Sequence, residues 1–134
     1  MTGFASWELQ KAIFDALNTN VPLAAKVTGV FDMVPTGTAF PYVTMGDAKA
    51  KDWSSKTFNG QEHNFSIDVW SQDAGRMDTK EIMALVYGAI HDQPLVVSNN
   101  ELVNLRHTDS EDKIEDDGIT HHGILRFRAV TKEL

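Results

Sequence analysis

Two stretches of the chain repeat apolar residues at helical spacing. Between residues 7 and 17, apolar side chains recur at offsets of 0, 3, 4, 7 and 8, and the same offsets recur between residues 77 and 91. Such spacing places one apolar stripe along a helix. The sequence therefore predicts two amphipathic helices, and a shorter helical turn over residues 21–27 with Pro22 at its first position.

Other stretches alternate apolar and polar residues, which is typical of half-buried strands. The clearest runs over residues 63–70, and another strand is predicted at residues 42–48 after a short extended piece at 30–32. Two more are predicted at residues 101–108 and 119–131. The apolar or histidine positions expected on the core side are His63, Phe65, Ile67, Val69, Val103, Leu105, His107, Leu125, Phe127 and Ala129.

The order of these elements is helix, two strands, helix, two strands. It predicts a single α+β domain over residues 1–134, with a mainly antiparallel four-stranded sheet and the helices packed on one face. The opposite face of the sheet is then expected to carry the polar and aromatic positions Asp68, Trp70, Asn104, Arg106, Arg126 and Arg128.

Composition narrows the class of protein. The chain has 134 residues with a net charge of −7, 42% hydrophobic residues and no cysteine, which is ordinary for a globular domain and excludes disulfides. No apolar run approaches the ~20 residues of a membrane helix. The first residues lack the basic and apolar regions of a secretory signal, so we expect none. An acidic chain is also a poor general binder of nucleic acid, whose affinity comes mainly from Lys and Arg on phosphates.

The negative charge is concentrated in residues 109–118, which hold six acids and one Lys and so carry −5 of the total. This segment is predicted to connect the last two strands, with Asp117-Gly118 as its turn. A calcium loop is not indicated, because aligning Gly118 with the loop glycine puts Lys113 at the first ligand position. We expect a solvated acidic loop containing Asp109, Glu111, Asp112, Glu115, Asp116 and Asp117.

The sequence contains few features that would indicate an enzyme. None of the five histidines lies in a spaced ligand motif, and no nucleophile elbow or phosphate-binding glycine loop is present. We therefore predict no enzyme, no cofactor and no metal. The alternative from another class is a small metal-dependent hydrolase that uses His107, His121 or His122 with the acidic loop. Neighbours in a regular strand point to opposite faces, so His121 and His122 could not both hold one metal.

Two groups of residues are better candidates for contact surfaces. Arg106, Arg126 and Arg128 are expected to form a stripe on the outer sheet face near Trp70, and Arg and Trp are enriched at interface hot spots. Ordinary cross-strand pairing is the alternative. Trp53 and Phe58 lie in a lysine-rich stretch at 49–61, where they either fold onto the core or anchor a partner.

Several blocks of the sequence resemble one family. Residues 40–47 (FPYVTMGD), 52–63 (DWSSKTFNGQEH), 69–71 (VWS) and 117–129 (DGITHHGILRFRA) are similar to the tail-completion, or tail-terminator, proteins of long-tailed phages, prophages and gene transfer agents. The resemblance covers nearly the whole chain. Its motifs are structural blocks and include no catalytic signature.

The resemblance implies a non-enzymatic assembly protein of a phage-type tail, assembled in the bacterial cytoplasm. It implies a homo-hexameric ring that caps the head-proximal end of the tail tube, with the tube protein and the head–tail connector or stopper as partners. DNA would pass through without specific binding, and no membrane is involved. A stopper or adaptor is the alternative within this class. We expect the subunit or tube interface to involve Trp53, Phe58, Trp70, Arg106, Arg126 and Arg128, and the acidic loop to face the lumen.

Overall fold

A computed structural model describes residues 4–134, which form three helices and five strands. No helix within that range is both long and apolar enough to cross a membrane. In chain order the elements are α1 (Ser6–Asn18), α2 (Val21–Lys26), β1 (Val30–Phe31), β2 (Tyr42–Asp52), β3 (Gly60–Ser71), α3 (Met77–Ile90), β4 (Asn100–Ile114) and β5 (His121–Glu133).

The strands form one sheet in the order β1-β2-β3-β5-β4. All neighbours are antiparallel except β1 and β2, which pair in parallel at Val30 with Val43 and at Phe31 with Thr44. The predicted α+β class, with helices on one face of a mainly antiparallel sheet, is confirmed. The sheet has five strands where four were expected, because the short extended piece at 30–31 joins its edge.

One hydrophobic core lies between the helices and the sheet. The buried stripes of α1 and α3 repeat every three to four residues, as the helical spacing predicted. They pack on the alternate apolar positions of β3, β5 and the centre of β4. The largest contributors include Leu9, Ile13, Leu17, Ile82, Val86, Ile90, Ile67, Val69, Leu105, Leu125 and Phe127.

A β-bulge changes the predicted facing of one residue in β4. The register shifts between Leu102 and Asn104, so Val103 is the extra residue and is 39% exposed. Leu102 packs against the core instead. The prediction that Val103 faces the core with Leu105 was therefore wrong, because a bulge interrupts the period of two.

Three strands are longer than predicted, and β3 (Gly60–Ser71, where 63–70 was expected) differs least. The other two extend at their C-terminal ends. β2 runs to Asp52 where residue 48 was expected, and β4 runs to Ile114 where residue 108 was expected. Both extensions are largely exposed edge strands, and such strands bury no apolar face that would leave alternation in the sequence. The acidic loop over 109–118 is corrected accordingly. Residues 109–114 belong to β4, and only residues 115–120 form the turn to β5.

Candidate functional site

The sheet face opposite the helices, which we call the open face, is the main candidate surface. Residues of β3 and β5 alternate along it with the buried core positions. Asn64 pairs with Arg128, Ser66 with Arg126 and Asp68 with Ile124. A shallow depression of about 490 Å³ lies at its centre. It is lined by Asp47, Asn64, Ser66, Asp68, Thr108, Asp109, His122, Ile124 and Arg126.

Arg126 lies on the open face as predicted, and it joins the acidic segment to the sheet. Its guanidinium donates to Asp109 Oδ2 at 2.9 Å and to Glu111 Oε1 at 3.0 Å. The hydrogen bond to Glu111, followed by that to Asp109, raises the pKa of Arg126. The sequence prediction did not include these pairs, because it placed both acids in a loop. Strand β4 holds them instead at two successive open-face positions.

Arg128 forms a second cluster on the same strand. It donates to Glu62 Oε1 at 2.8 Å, and Lys51 Nζ lies 3.2 Å from Glu62 Oε2. Hydrogen bonds from Asn64 and Arg128 lower the pKa of Glu62 to about 2. This carboxylate is therefore ionised throughout the physiological range, and it links β2, β3 and β5 across the face.

Arg106 also lies on the open face, directly opposite Arg128 in the β4–β5 register. Its Nη1 lies 3.3 Å from Asp92 Oδ1, in the connection that follows α3. The three arginines therefore share a face, and each has an acidic partner within the fold. Arg126 and Arg128 make cross-strand pairs of the kind the alternative interpretation describes, whereas the partner of Arg106 lies outside the sheet.

Trp53 and Phe58 contact each other at the tip of the β2–β3 hairpin, with ring centroids 5.6 Å apart. Trp53 is 38% exposed. Phe58 lies under Lys132 Nζ, which is 4.7 Å from the ring centroid. The tip is thus folded back onto the end of β5 and leaves one side of the indole open to solvent.

Trp70 lies at the opposite end of β3 from that tip. Its ring stacks on His122 with centroids 3.7 Å apart, and its indole N–H donates to Thr44 Oγ1 at 3.0 Å. The structure therefore does not gather the six candidate interface residues into one patch. Trp53 and Phe58 mark one end of the sheet, Trp70 marks the other, and the arginines lie between them.

His122 is the polar centre near Trp70 that the sequence did not reveal. Its Nδ1 lies 2.8 Å from Glu115 Oε1, and its Nε2 lies 3.1 Å from Asp68 Oδ2. Carboxylates only accept hydrogen bonds, so the ring donates to both of them when it carries both protons. The cluster ties the β4–β5 turn to β3. No sequence pattern indicated it, since Asp68 is 54 residues away.

The other acids of residues 109–118 are Asp112, Asp116 and Asp117, and they lie in different surroundings. Asp112 faces the helix side, where it pairs with Arg76 at 2.6 Å and Lys80 at 3.3 Å, and the contact with Arg76 leads in lowering its pKa. Asp117 accepts from Ile119 N and from Thr120 N and Oγ1, and these bonds, led by that of the Thr120 side chain, lower its pKa. Asp116 is exposed in the turn. The six acids therefore do not form one uniform surface.

The three histidines of the hydrolase alternative do not converge. His107 packs edge-on against Phe127 on the helix side, His121 is buried, and His122 lies on the open face. Among residues 4–134, no three His, Asp or Glu side chains are arranged to hold a metal ion. In the described part of the chain these three histidines are therefore not gathered at one site.

Sequence reasoning missed two lysines that belong to the open face. Lys49 and Lys51 pair with Asn64 and Glu62 in the β2–β3 register, so they lie on the same face as the arginines. Their signal was present: the run from residue 48 to 51 alternates alanine with lysine. It was not recognised as a strand because alanine gives little apolar contrast.

Comparison with known proteins finds similar sequences and similar structures. The model of the family described as "Tail completion protein gp17" matches residues 11–132. The tail completion protein gp17 of Bacillus phage SPP1 is 27% identical over 124 residues, which is 92% of each chain. Its solved structure superposes with a TM-score of 0.67, at 25% identity, over 96% of this chain and 94% of that one. A chain in the virion of a native gene transfer agent particle superposes with a TM-score of 0.91, at 33% identity, over 96% of this chain and 98% of that one.

Proposed function

The chain belongs to the family of tail completion proteins, which are structural and not enzymes, and on that premise we propose that it forms a ring at the head-proximal end of a phage-type tail tube. In this proposal six copies close the ring, tube polymerisation ends there, and the ring docks on the head–tail connector or stopper. The particle tail is its site of action.

The match to a chain of the gene transfer agent particle carries this proposal. That chain was solved inside a virion, and it superposes over almost the full length of both molecules with a TM-score of 0.91. Little of either chain lies outside the match, so it supports a role within a particle.

The physics of identical subunits also favours a ring. A head-to-tail contact between different surfaces of two copies is heterologous, and such contacts generate a closed ring when the rotation between copies permits. The open face and the two ends of the sheet provide different surfaces. We propose that Trp53, Phe58, Trp70, Arg106, Arg126 and Arg128 contribute to contacts with neighbouring subunits or with the tube.

We further propose that the acidic turn at residues 115–118 faces the lumen of the ring. A negatively charged wall repels DNA phosphates, so a genome could pass without sticking. Asp116 is the side chain best suited to test this, since Glu115 contacts His122 and Asp117 holds the turn. Replacing Asp116→Lys should leave rings intact and slow DNA transfer from assembled particles. Failed ring formation would contradict a lumen position and make the turn part of an interface.

Co-assembly with the tail tube protein of the same particle tests the ring directly. The isolated chain and its mixture with the tube protein are compared by light scattering over a concentration series and by electron microscopy. We expect six-fold rings on one end of tubes whose growth has stopped. A chain that stays monomeric with tubes present and leaves tube length unchanged would contradict the proposal. Rings that bind the connector but not the tube would favour a stopper or adaptor.

A further inference from the structure

At each edge of the sheet, one strand is covered by a neighbouring segment along only half of its length. β1 pairs with β2 only at Val43 and Thr44, so residues 46–52 of β2 have no strand on their outer side within the described chain. We call residues 46–52 the β2 edge. Except for residues 46 and 50, which are half-buried, its residues are exposed. Unpaired backbone groups on an exposed strand are a ready template for another strand.

The far side of the sheet shows the same pattern. The first half of β4 is covered by the segment after α3, since Asp92 N donates to Leu105 O at 2.9 Å and His107 N donates to His91 Nδ1 at 3.0 Å. No such cover extends over residues 108–114 in the part of the chain that the structure describes. We call residues 108–114 the β4 edge. It has seven residues, as the β2 edge does.

Charge on the open face alternates from strand to strand. β2 presents Lys49 and Lys51, β3 presents Glu62, β5 presents Arg126 and Arg128, and β4 presents Asp109 and Glu111. Salt bridges join these columns, with Arg126 on Asp109 and Arg128 on Glu62. The pattern ends with Lys49 and Lys51 at the β2 edge and with Asp109 and Glu111 at the β4 edge. Asp47 is the acidic exception on the β2 edge. Lys113, near the end of β4, is the basic exception on the acidic edge.

We infer that the β2 edge of one copy pairs with the β4 edge of the next copy, which continues both the sheet and its charge alternation. Antiparallel pairing sets Lys49 opposite Glu111 and Lys51 opposite Asp109. Opposite charges placed across strands stabilise the pairing, and like charges destabilise it. The inference rests on the proposed ring and names the surface that closes it.

The same charges disfavour a symmetric dimer. Two β2 edges paired about Ala50 would set Lys49 opposite Lys51, and two β4 edges paired about Ser110 would set Asp109 opposite Glu111. Charged edge strands block pairing with identical edges in this way. Paired about Ala50 and Ser110, only the mixed edges attract each other, and their contact is a head-to-tail one of the kind that closes into rings.

Pairing of these two edges requires a shift along the strands. Lys49 lies level with Arg128 through β3, whereas Glu111, its proposed partner, lies level with Ile124. The offset of four residues along β5 corresponds to about 13 Å at roughly 3.3 Å per residue. A closed ring accommodates such a stagger when its strands tilt relative to the ring axis, as strands in barrels do. On the helix side of the two edges, Ala48, Ala50 and Ser110 are small, and Asp112, which would lie opposite Ala48, is held by Arg76 and Lys80.

Two charge-reversed variants test the pairing. One carries Lys49→Glu with Lys51→Glu, and the other carries Asp109→Lys with Glu111→Lys. We expect each alone to lose at least tenfold in ring yield on tubes, because like charges then meet at every contact. Mixed in equal amounts, the two variants should restore rings in which they alternate, since every contact is again between opposite charges.

The control matched to Asp109→Lys with Glu111→Lys carries Glu101→Lys with Asp116→Lys, which raises the net charge by the same amount outside both edges. It should form rings like the unchanged protein, and far-UV circular dichroism establishes that each variant folds. Rings formed by either edge variant alone, or no recovery in the mixture of folded variants, would overturn the inference. Absence of rings from the unchanged protein with tubes present would instead contradict the proposed function.

Discussion

The two faces of the same sheet differ in nearly every respect. On the helix side, β3 and β5 present Phe65, Ile67, Val69 and Phe127, all buried against α1 and α3. On the open side the same strands present mainly charged and polar residues joined by salt bridges. Burial of apolar area drives folding, whereas exposed ion pairs contribute little. The difference separates the tasks: one face holds the subunit together, and the other is available for assembly.

The largest expected effect comes from the helix side. Replacing Phe127→Ala removes a ring that is 1% exposed and stacked on Phe65, and should lower the free energy of unfolding by about 3–5 kcal/mol. The matched change on the open face, Ile124→Ala, should cost about 1 kcal/mol. Urea denaturation measures both. Equal losses of stability would contradict the difference between the two faces, since the open face would then be part of the core.

A second test concerns the place where the hairpin tip approaches β5. A Cβ on Gly60 would lie 2.9 Å from the Trp53 carbonyl oxygen and 3.0 Å from that of Thr131. Backbone atoms cannot move away easily, so Gly60→Ala should destabilise the fold by about 1–3 kcal/mol. Gly88→Ala is the control, because nothing lies within 4 Å and alanine favours a helix by about 0.5–1 kcal/mol. Thermal unfolding of the two variants should shift in opposite directions. The same direction in both would contradict the close approach.

Acid should weaken the helix side through His63. Burial lowers the pKa of this histidine, whose Nε2 contacts Thr131 Oγ1 at 3.0 Å. Well above pH 6.5, the usual pKa of histidine, the ring is neutral in both the folded and the unfolded chain. As the pH falls below that value the unfolded chain binds a proton that the folded chain resists, so stability is lost.

Urea denaturation at pH 7.5 and 5.5 measures this loss, and His63→Gln supplies the control. The unchanged protein should lose up to about 1 kcal/mol more than the variant over this interval. A variant with the same pH dependence would show that other groups cause the loss.

The smallest effect is expected on the open face. Replacing Arg128→Gln should change the free energy of unfolding by less than about 1 kcal/mol, because the ion pair with Glu62 is partly exposed. It should nevertheless raise the pKa of Glu62 above its value of about 2, although the hydrogen bond from Asn64 remains. Carboxyl titration by nuclear magnetic resonance measures the pKa. A large loss of stability here would mean that the open face also holds the fold together.

The same division explains what the sequence could predict. Phe65, Ile67 and Val69 alternate with polar residues because one face is buried, so β3 and the α+β class were predictable, as were the positions of Arg126 and Arg128. The edges were not. Lys49 and Glu111 lie on strands with little buried surface, and their alternation carries no apolar signal. The pairing of Arg126 with Asp109 depended on that missed strand, and the contact of His122 with Asp68 depends on the tertiary fold alone.

Amide hydrogen exchange on the isolated chain and on the ring-capped tube tests the separation of tasks most directly. Assembly should add protection at residues 46–52 and 108–114, whose outer backbone groups are unpaired in the single subunit. Strands β3 and β5 should change little, because both are flanked by strands already. New protection confined to α1 and α3, with both edges exchanging as fast as before, would contradict the account.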